Sequence, residues 1–272
     1  MEKIAVLMGG TSSEREVSLT SGRNVAKALA ELGKYEVIPV VLEADNLDAL
    51  PDGVSRAYIA LHGGWGEDGG VQAALNARKI PYTGPGVLAS QIAMDKVKTK
   101  MVLEMKGVPT AKWMLANADT AESPLPLPVV VKPPSDGSSV GISKVSEPAG
   151  WVAARDLAFS CQSREKPILV EEFISGREFT VAVVDGEAWP VIEIVAKGGW
   201  YGYEEKYNSD ETRYPFLCDQ DPSLIPHPSS LEAELQKLAV QAYEALGCRG
   251  VTRVDFRVSP LGRCYVLELN TS

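Results

Sequence analysis

Residues 251–258 read VTRVDFRV and residues 263–270 read RCYVLELN, two short runs of mostly strand-forming residues separated by Ser259-Pro260-Leu261-Gly262. Pro and Gly between two such runs mark a turn, so the segment predicts an antiparallel hairpin. Side chains alternate across a strand, which puts Val254, Phe256 and Val258 on one face and Arg253 and Asp255 on the other. In the second run the same rule groups Tyr265, Leu267 and Leu269 as the apolar face and leaves Glu268 and Asn270 opposite. A turn centred on Pro260-Leu261 pairs residue 256 with 265 and residue 253 with 268, and the two apolar sets then coincide. Asp255, Glu268, Asn270 and Arg253 share the remaining face. Two carboxylates and an amide side by side suit a hard divalent cation such as Mg2+ or Mn2+. A solvated sheet face with an ordinary Arg–Glu pair is the competing reading.

Upstream of this ribbon, Leu235, Leu238, Ala239, Ala242 and Leu246 recur at helical spacing and predict a helix over Leu231–Leu246. A second hairpin is predicted over Glu178–Val184 and Ala188–Val195, turning at Asp185-Gly186. Between the two, Lys197–Pro215 is a long aromatic and charged stretch with little periodicity, the kind of loop that serves as a lid. Earlier, the strand Val129–Val131 runs into Lys132 and a glycine-serine loop. Gly137, Ser138, Ser139 and Gly141 offer N–H groups and hydroxyls to phosphate oxygens there, and Lys132 adds a point charge. The loop does not fit the P-loop spacing, so alone it is weak evidence. Strands at Ile142–Val145 and Ile168–Phe173 flank a helix near Trp151–Phe159. Lys96, Lys98, Lys100 and Lys106 crowd a helical stretch that follows Gly84-Pro85-Gly86.

The first part of the chain alternates strand and helix. Ile4–Met8 is an apolar strand ending in Gly9-Gly10, Ser13-x-x-Glu16 has the spacing of a capping box, and Gly33 closes the helix that follows. Strands at Val37–Leu42 and Ala57–Leu61 and a helix over Val71–Lys79 complete the pattern, which implies a parallel sheet covered on both faces. The Gly9–Glu14 turn at a helix N-terminus suits an anion, Glu14 suits an ammonium, and His62 ends a strand where parallel sheets place ligands. A capped helix start and a structural histidine are the plainer readings. No G-x-G-x-x-G occurs, which leaves a dinucleotide site unsupported.

With 272 residues, 45% hydrophobic and 23% charged, the chain is longer than one typical domain and has ample core material. A net charge of −9 counts against nucleic acid as a partner. The four cysteines are widely spaced without a C-x-x-C pair, and only two histidines accompany them, so reduced thiols are expected and a zinc site is not. The N-terminus meets glycine before a secretory core develops, and no run reaches membrane-spanning length. The chain reads as cytoplasmic, with no membrane partner.

In order, the segments GGTSSEREVSL, ALHGGWGEDG, PYTGPG, MDKVKTK, VVVKPPSDGSSVGISKV, REFTV, YEEKYNSDETRY, RVDF and LELNTS resemble the D-alanine–D-alanine ligases of the ATP-grasp superfamily, across nearly the whole chain. The resemblance implies an α/β ATP-grasp fold. Residues 1–93 are expected to form an N-terminal Rossmann-like parallel-sheet domain, 94–174 a central α+β subdomain and 175–272 a C-terminal mixed-sheet subdomain. ATP is gripped between the last two. By resemblance, Lys96, Lys132, Ser138, Ser139 and Lys206 hold phosphates. Glu171, Glu172 and Ile174 meet adenine, although Glu172 stands where the family often has lysine, and Glu178 meets the ribose. Asp255, Glu268 and Asn270 bind two Mg2+ (or Mn2+) ions. Glu14 binds the ammonium of the first D-alanine with His62 nearby, and Ser138 and Tyr207 hydrogen-bond with Glu14 to close the site. Arg253 stabilises the acyl phosphate and the tetrahedral intermediate.

The implied reaction phosphorylates one D-alanine carboxylate and lets the amine of a second D-alanine displace phosphate, for peptidoglycan precursor synthesis. A homodimer is also implied. The family continues beyond Asn270-Thr271-Ser272 through a loop whose hydroxyl binds the second substrate, so dipeptide synthesis is expected to draw on residues past that point. A D-alanyl-D-lactate ligase and a nucleotide-binding form without turnover are the alternatives. The first is disfavoured by Tyr207, which those enzymes typically lack.

Overall fold

The structure, a computed structural model, describes residues 1–135, 141–196, 211–219 and 228–271. Ser138, Ser139, Lys206 and Tyr207 lie outside the described residues.

The chain builds three sheets in order. The first is parallel, β2-β1-β3, from β1 (Glu2–Gly9), β2 (Tyr35–Leu42) and β3 (Arg56–Ile59). Helix α1 (Arg15–Glu31) covers one face, where Val6 and Met8 meet Leu19 and Ala26, and α2 (Gly70–Ala77) covers the other, where Ala5 and Leu7 meet Val71 and Leu75. Burial on both faces is why β1 reads as an unbroken apolar run rather than an alternation. Each fully buried aliphatic side chain of this kind contributes roughly 1.5–3 kcal/mol.

The capping box does not form. Glu14 is the N-cap and makes no side-chain cap bond. Ser12 ties the helix start down instead: its hydroxyl accepts from Glu14 N at 3.2 Å and donates to His62 O at 2.5 Å, in the loop that follows β3.

The lysine-rich stretch resolves into two helices, α3 (Val87–Met94) and α4 (Lys96–Met105). Asp95 divides them, and its carboxylate caps α4 by accepting from Val97 N and Lys98 N, both at 3.1 Å. The second sheet is antiparallel, order β4-β7-β5-β6, from β4 (Trp113–Ala116), β5 (Val129–Lys132), β6 (Ser143–Val145) and β7 (Ile168–Glu172). Helix α5 (Trp151–Ser160) packs Trp151, Ala154 and Ala158 against it. Strand β4 has no counterpart in the sequence reading.

The third sheet runs β10-β8-β11-β12, from β8 (Arg177–Val184), β10 (Ile192–Ile194), β11 (Val251–Val258) and β12 (Cys264–Asn270), with β9 (Glu187–Ala188) on β8. Asp185 and Gly186 both take positive φ, 49° and 87°, as a tight right-twisted hairpin demands. The return strand splits into β9 and β10 around Trp189-Pro190, where proline brings no N–H to the ladder. Helix α6 (Pro228–Ala245) and Leu246 after it cover this sheet, packing Leu235, Leu238, Ala239, Ala242 and Leu246 with Phe179, Val181, Val254 and Phe256.

The register of the last hairpin differs from the sequence expectation. Arg253 pairs with Asn270 and Asp255 with Glu268, but then Phe256 pairs with Val266, not 265. Two features cause this. The turn centres on Leu261, with Ser259 N donating to Arg263 O at 2.9 Å and Gly262 at φ 74°. A bulge between Asp255 and Phe256 then leaves Leu267 unpaired on β12. The core face of β12 is therefore Cys264, Val266 and Leu269, while Tyr265 and Leu267 stay out of the core cluster. Residue 253 moves opposite 270 instead of 268, a shift of two that preserves side-chain parity, so the polar grouping survives. A parallel bridge from Thr110 to Val266, with Val266 N donating to Pro109 O at 2.8 Å, fastens the central part to β12.

Candidate active site

The polar face of β11–β12 forms one wall of the site. Asp255 is buried and accepts from Thr180 Oγ1 at 2.6 Å, from Arg253 Nε at 3.0 Å, from the second Arg253 nitrogen at 3.0 Å and from Asn270 Nδ2 at 3.0 Å. Because Asn270 spends its N–H on Asp255, its amide oxygen is the atom it offers to a cation. Glu268 sits opposite Asp255 on the ladder and meets Lys96 Nζ at 3.5 Å. Two carboxylates and an amide oxygen on neighbouring strands are a hard-oxygen donor set, and Arg253 and Lys96 balance their charge. The residues present fit a divalent ion.

Lys96 opens α4, and its backbone N–H donates to Pro134 O at 2.9 Å, which holds the helix start beside the segment leaving β5. Lys132 ends β5 and meets Glu171 Oε2 at 2.6 Å. The start of α4 at Lys96 is thus fastened two residues past Lys132, far from it in sequence. Glu171 does not stand free for a base. Its other oxygen meets Lys100 Nζ at 2.8 Å, so two lysines hold one carboxylate that is 3% exposed. Those ammoniums keep the Glu171 carboxyl below its usual range, against a burial penalty that pushes the other way and is the largest single influence. Burial pulls Lys100 below the usual lysine range, and Glu171 opposes that. Lys100 Nζ donates to Thr110 Oγ1 at 2.6 Å and to Ala111 O at 3.4 Å, and its contact with Glu171 Oε1 is an ion pair without hydrogen-bond alignment. Lys100 is a residue that sequence reasoning did not single out.

Glu172 is exposed, and its N–H is spent on Lys112 O at 2.8 Å. Ile174 is buried in the connection from β7 to β8, outside the core clusters. Glu178 meets Arg257 at 3.1 Å, and Arg257 also donates to Gly176 O at 3.0 Å and lies 5.9 Å from the Phe173 ring centre. Arg257 therefore fixes both the carboxylate expected at the ribose and the connection that carries Ile174, another role with no sequence signal beyond strand parity.

At the end of the first sheet, Glu14 and His62 come together. Gly63 has φ 65°, and a Cβ there would lie 2.5 Å from Glu14 Oε2. Glycine is required both by the left-handed backbone and by the carboxylate packed over it. His62 Nε2 lies 3.0 Å from Ser21 Oγ on α1, and Nδ1 lies 3.7 Å from Glu67. Ser21 and Glu67 are further residues the sequence reading passed over, although Glu67 stands in the quoted glycine loop. The thiols take no part: all four cysteines are free, and burial pushes those of Cys248 and Cys264 up to about 11. At neutral pH these two are poor nucleophiles. Among the described residues no helix is long and apolar enough to cross a membrane.

A parallel N-terminal sheet followed by two antiparallel sheets, with Lys96 against an acidic ribbon, is the architecture of an ATP-grasp carboxylate–amine ligase. Family profiles described as D-ala D-ala ligase N-terminus and D-ala D-ala ligase C-terminus match residues 3–47 and 97–272. The chain belongs to the D-alanine–D-alanine ligase family. It is 45% identical to a D-alanine–D-alanine ligase of Syntrophotalea carbinolica over 99% of this chain and 86% of that one. Among solved structures, the D-alanine–D-alanine ligase of Bacillus anthracis complexed with ATP superposes with a TM-score of 0.81 at 30% identity, covering 100% of this chain and 86% of that one. The VanG D-Ala:D-Ser ligase of Enterococcus faecalis superposes at 0.80 with 28% identity, covering 99% and 90%.

Proposed function

We infer that this chain ligates two D-alanine molecules to D-alanyl-D-alanine, releasing ADP and phosphate, as a step in peptidoglycan precursor synthesis. The observation that carries the reading is similarity to a ligase of that name, 45% identity over 99% of this chain and 86% of that one. The charge layout supports it, with Lys96 against Glu268 of the acidic ribbon and Lys132 paired with Glu171.

A free carboxylate is a poor electrophile, so the γ-phosphoryl group of ATP passes to one D-alanine carboxylate. The amine of the second D-alanine then forms the C–N bond as the C–O bond to phosphate breaks. In this proposal Lys96 and Lys132 neutralise the phosphates, with Ser138, Ser139 and Lys206 closing over them. Glu171, the backbone at Glu172 and Ile174 border the adenine, and Glu178 takes the ribose. Glu14 receives the ammonium of the first D-alanine beside His62, with Ser138 and Tyr207 completing that contact. Arg253 supplies fixed positive charge to the acyl phosphate and the tetrahedral intermediate. Asp255, Glu268 and Asn270 hold two magnesium ions, which when bound neutralise the phosphate charge.

Residues 1–93, 94–174 and 175–272 are the proposed domains, and a cytoplasmic homodimer is the proposed form. Sedimentation of the purified protein checks the dimer. ADP release measured with D-alanine and magnesium tests the function. Turnover with D-alanine at neutral pH supports the reading, and ATP hydrolysis indifferent to D-alanine would sink it. Preference for D-lactate over D-alanine would assign the chain to the depsipeptide-forming sister group instead.

A further inference from the structure

We propose that Lys100 is a positioning residue for ATP, acting through Glu171 so that Lys132 keeps net positive charge toward the phosphates. The inference rests on the ATP-binding reading above and assigns a role to a side chain that the reading leaves unused. Lys100 is 0% exposed. Its ammonium donates to Thr110 Oγ1 and Ala111 O and faces Glu171 Oε1 as an ion pair, sealed away from any nucleotide. Whatever it does for the ligand passes through a neighbour.

That neighbour is Glu171, whose two oxygens are divided between two lysines, Oε1 to Lys100 at 2.8 Å and Oε2 to Lys132 at 2.6 Å. With Lys132 alone against it, the carboxylate would form a neutral pair and cancel the cation at the end of β5. Two ammoniums sharing one carboxylate leave a surplus of positive charge. Lys132 is the member of the cluster from which that surplus reaches an anion, because it ends β5 and keeps 6% of its surface exposed, while Lys100 is sealed inside. Three buried charges are poor value for stability alone, since apolar replacements of such clusters are often neutral or better.

Lys100 also reaches the other wall. Thr110 Oγ1 accepts from Lys100 and donates to Val266 O at 2.9 Å, on β12 of the acidic ribbon itself. One buried ammonium therefore holds the phosphate-side carboxylate and the β12 side of the cleft at a fixed separation.

The test titrates the intact wild-type protein, Lys100→Met and Lys100→Arg with Mg-ATP and, separately, with adenosine by calorimetry, alongside KM for D-alanine. Lys100→Met is expected to weaken ATP about tenfold or more while adenosine affinity and KM for D-alanine stay within about threefold. Lys100→Arg keeps the second positive charge beside Glu171, and its ATP affinity is expected to stay within about threefold of wild type. A merely structural role weakens ATP and adenosine alike. ATP affinity unchanged in Lys100→Met, or adenosine weakened as much as ATP, overturns the proposal. Should Lys100→Met fail to fold, Lys100→Gln, neutral but still a donor to the buried carboxylate, decides by the same comparison. Wild-type protein that binds no ATP would sink the functional reading itself, and this inference with it.

Discussion

Asp255 and Glu268 stand directly opposite each other on the β11–β12 ladder, beside the bulge that leaves Leu267 unpaired. Like charges facing across a sheet are destabilising, so the pairing needs a partner of opposite sign. Arg253 and Lys96 provide it within the chain, the first by a two-pronged contact to Asp255 and the second at 3.5 Å from Glu268. The arrangement suits a site that exchanges these internal cations for a divalent ion carrying nucleotide.

Glu268→Gln tests that relationship. The side chain is 28% exposed and glutamine keeps its shape, so the charge removal costs little folding energy, within about 1 kcal/mol. Losing a carboxylate ligand is expected to reduce turnover at least about a hundredfold and to raise the magnesium concentration needed for half activity. Thermal melts together with magnesium titrations of ADP release check both halves. Unchanged magnesium dependence would remove Glu268 from the metal site.

Much of this site was legible in the sequence, and the failures have physical causes. Strand parity alone put Arg253, Asp255, Glu268 and Asn270 on one face, and a register error of two residues left that grouping intact. Parity could not say which face of β12 is apolar, because Cys264 and Val266 compete with Tyr265 and Leu267, and a bulge decides between them. Lys100 was hidden because a buried ammonium looks like any surface lysine until its carboxylate arrives from another strand, here Glu171. Ser21 was hidden likewise, since its contact with His62 spans a helix and a loop 41 residues apart.

Gly63→Ala is expected to damage both folding and substrate binding. Its φ of 65° disfavours any Cβ, and the added atom would sit 2.5 Å from Glu14 Oε2. A stability loss of about 1–2 kcal/mol follows from the backbone. Displacement of Glu14 is expected to raise KM for D-alanine about tenfold, with the affinity for ATP nearly unchanged. Urea unfolding and separate KM determinations for the two substrates distinguish these effects. A rise confined to the ATP constant would contradict the assignment of Glu14.

Ser21→Ala removes the partner of His62 Nε2 at 3.0 Å without touching the glycine loop. The imidazole keeps its contact with Glu67 but loses one of the contacts that orient its ring. KM for D-alanine is expected to rise severalfold, about 1 kcal/mol of lost orientation, while the melting temperature shifts by only a few degrees. Ser21→Thr, which keeps the hydroxyl, is expected to recover most of the loss. Equal effects of the two substitutions would show that helix packing, and not the hydrogen bond, is at stake.

The Glu171 cluster sets an acid limit on stability. Lys100 and Lys132 hold the folded carboxyl below the ordinary value of 4.5, so between the two values the unfolded chain binds more protons than the folded one. Stability then rises with pH across that window: the contribution is fully present above 4.5 and is lost as pH falls through the folded value. Glu171→Gln is expected to lower stability at neutral pH, because two buried ammoniums lose their counter-charge. It is also expected to flatten the acid limb by up to one proton, about 1.4 kcal/mol per pH unit. Urea unfolding of both proteins from pH 3 to 7 measures the slopes. Parallel curves would mean that Glu171 is not charged in the folded chain, and the shared-carboxylate argument for Lys100 and Lys132 would lose its footing.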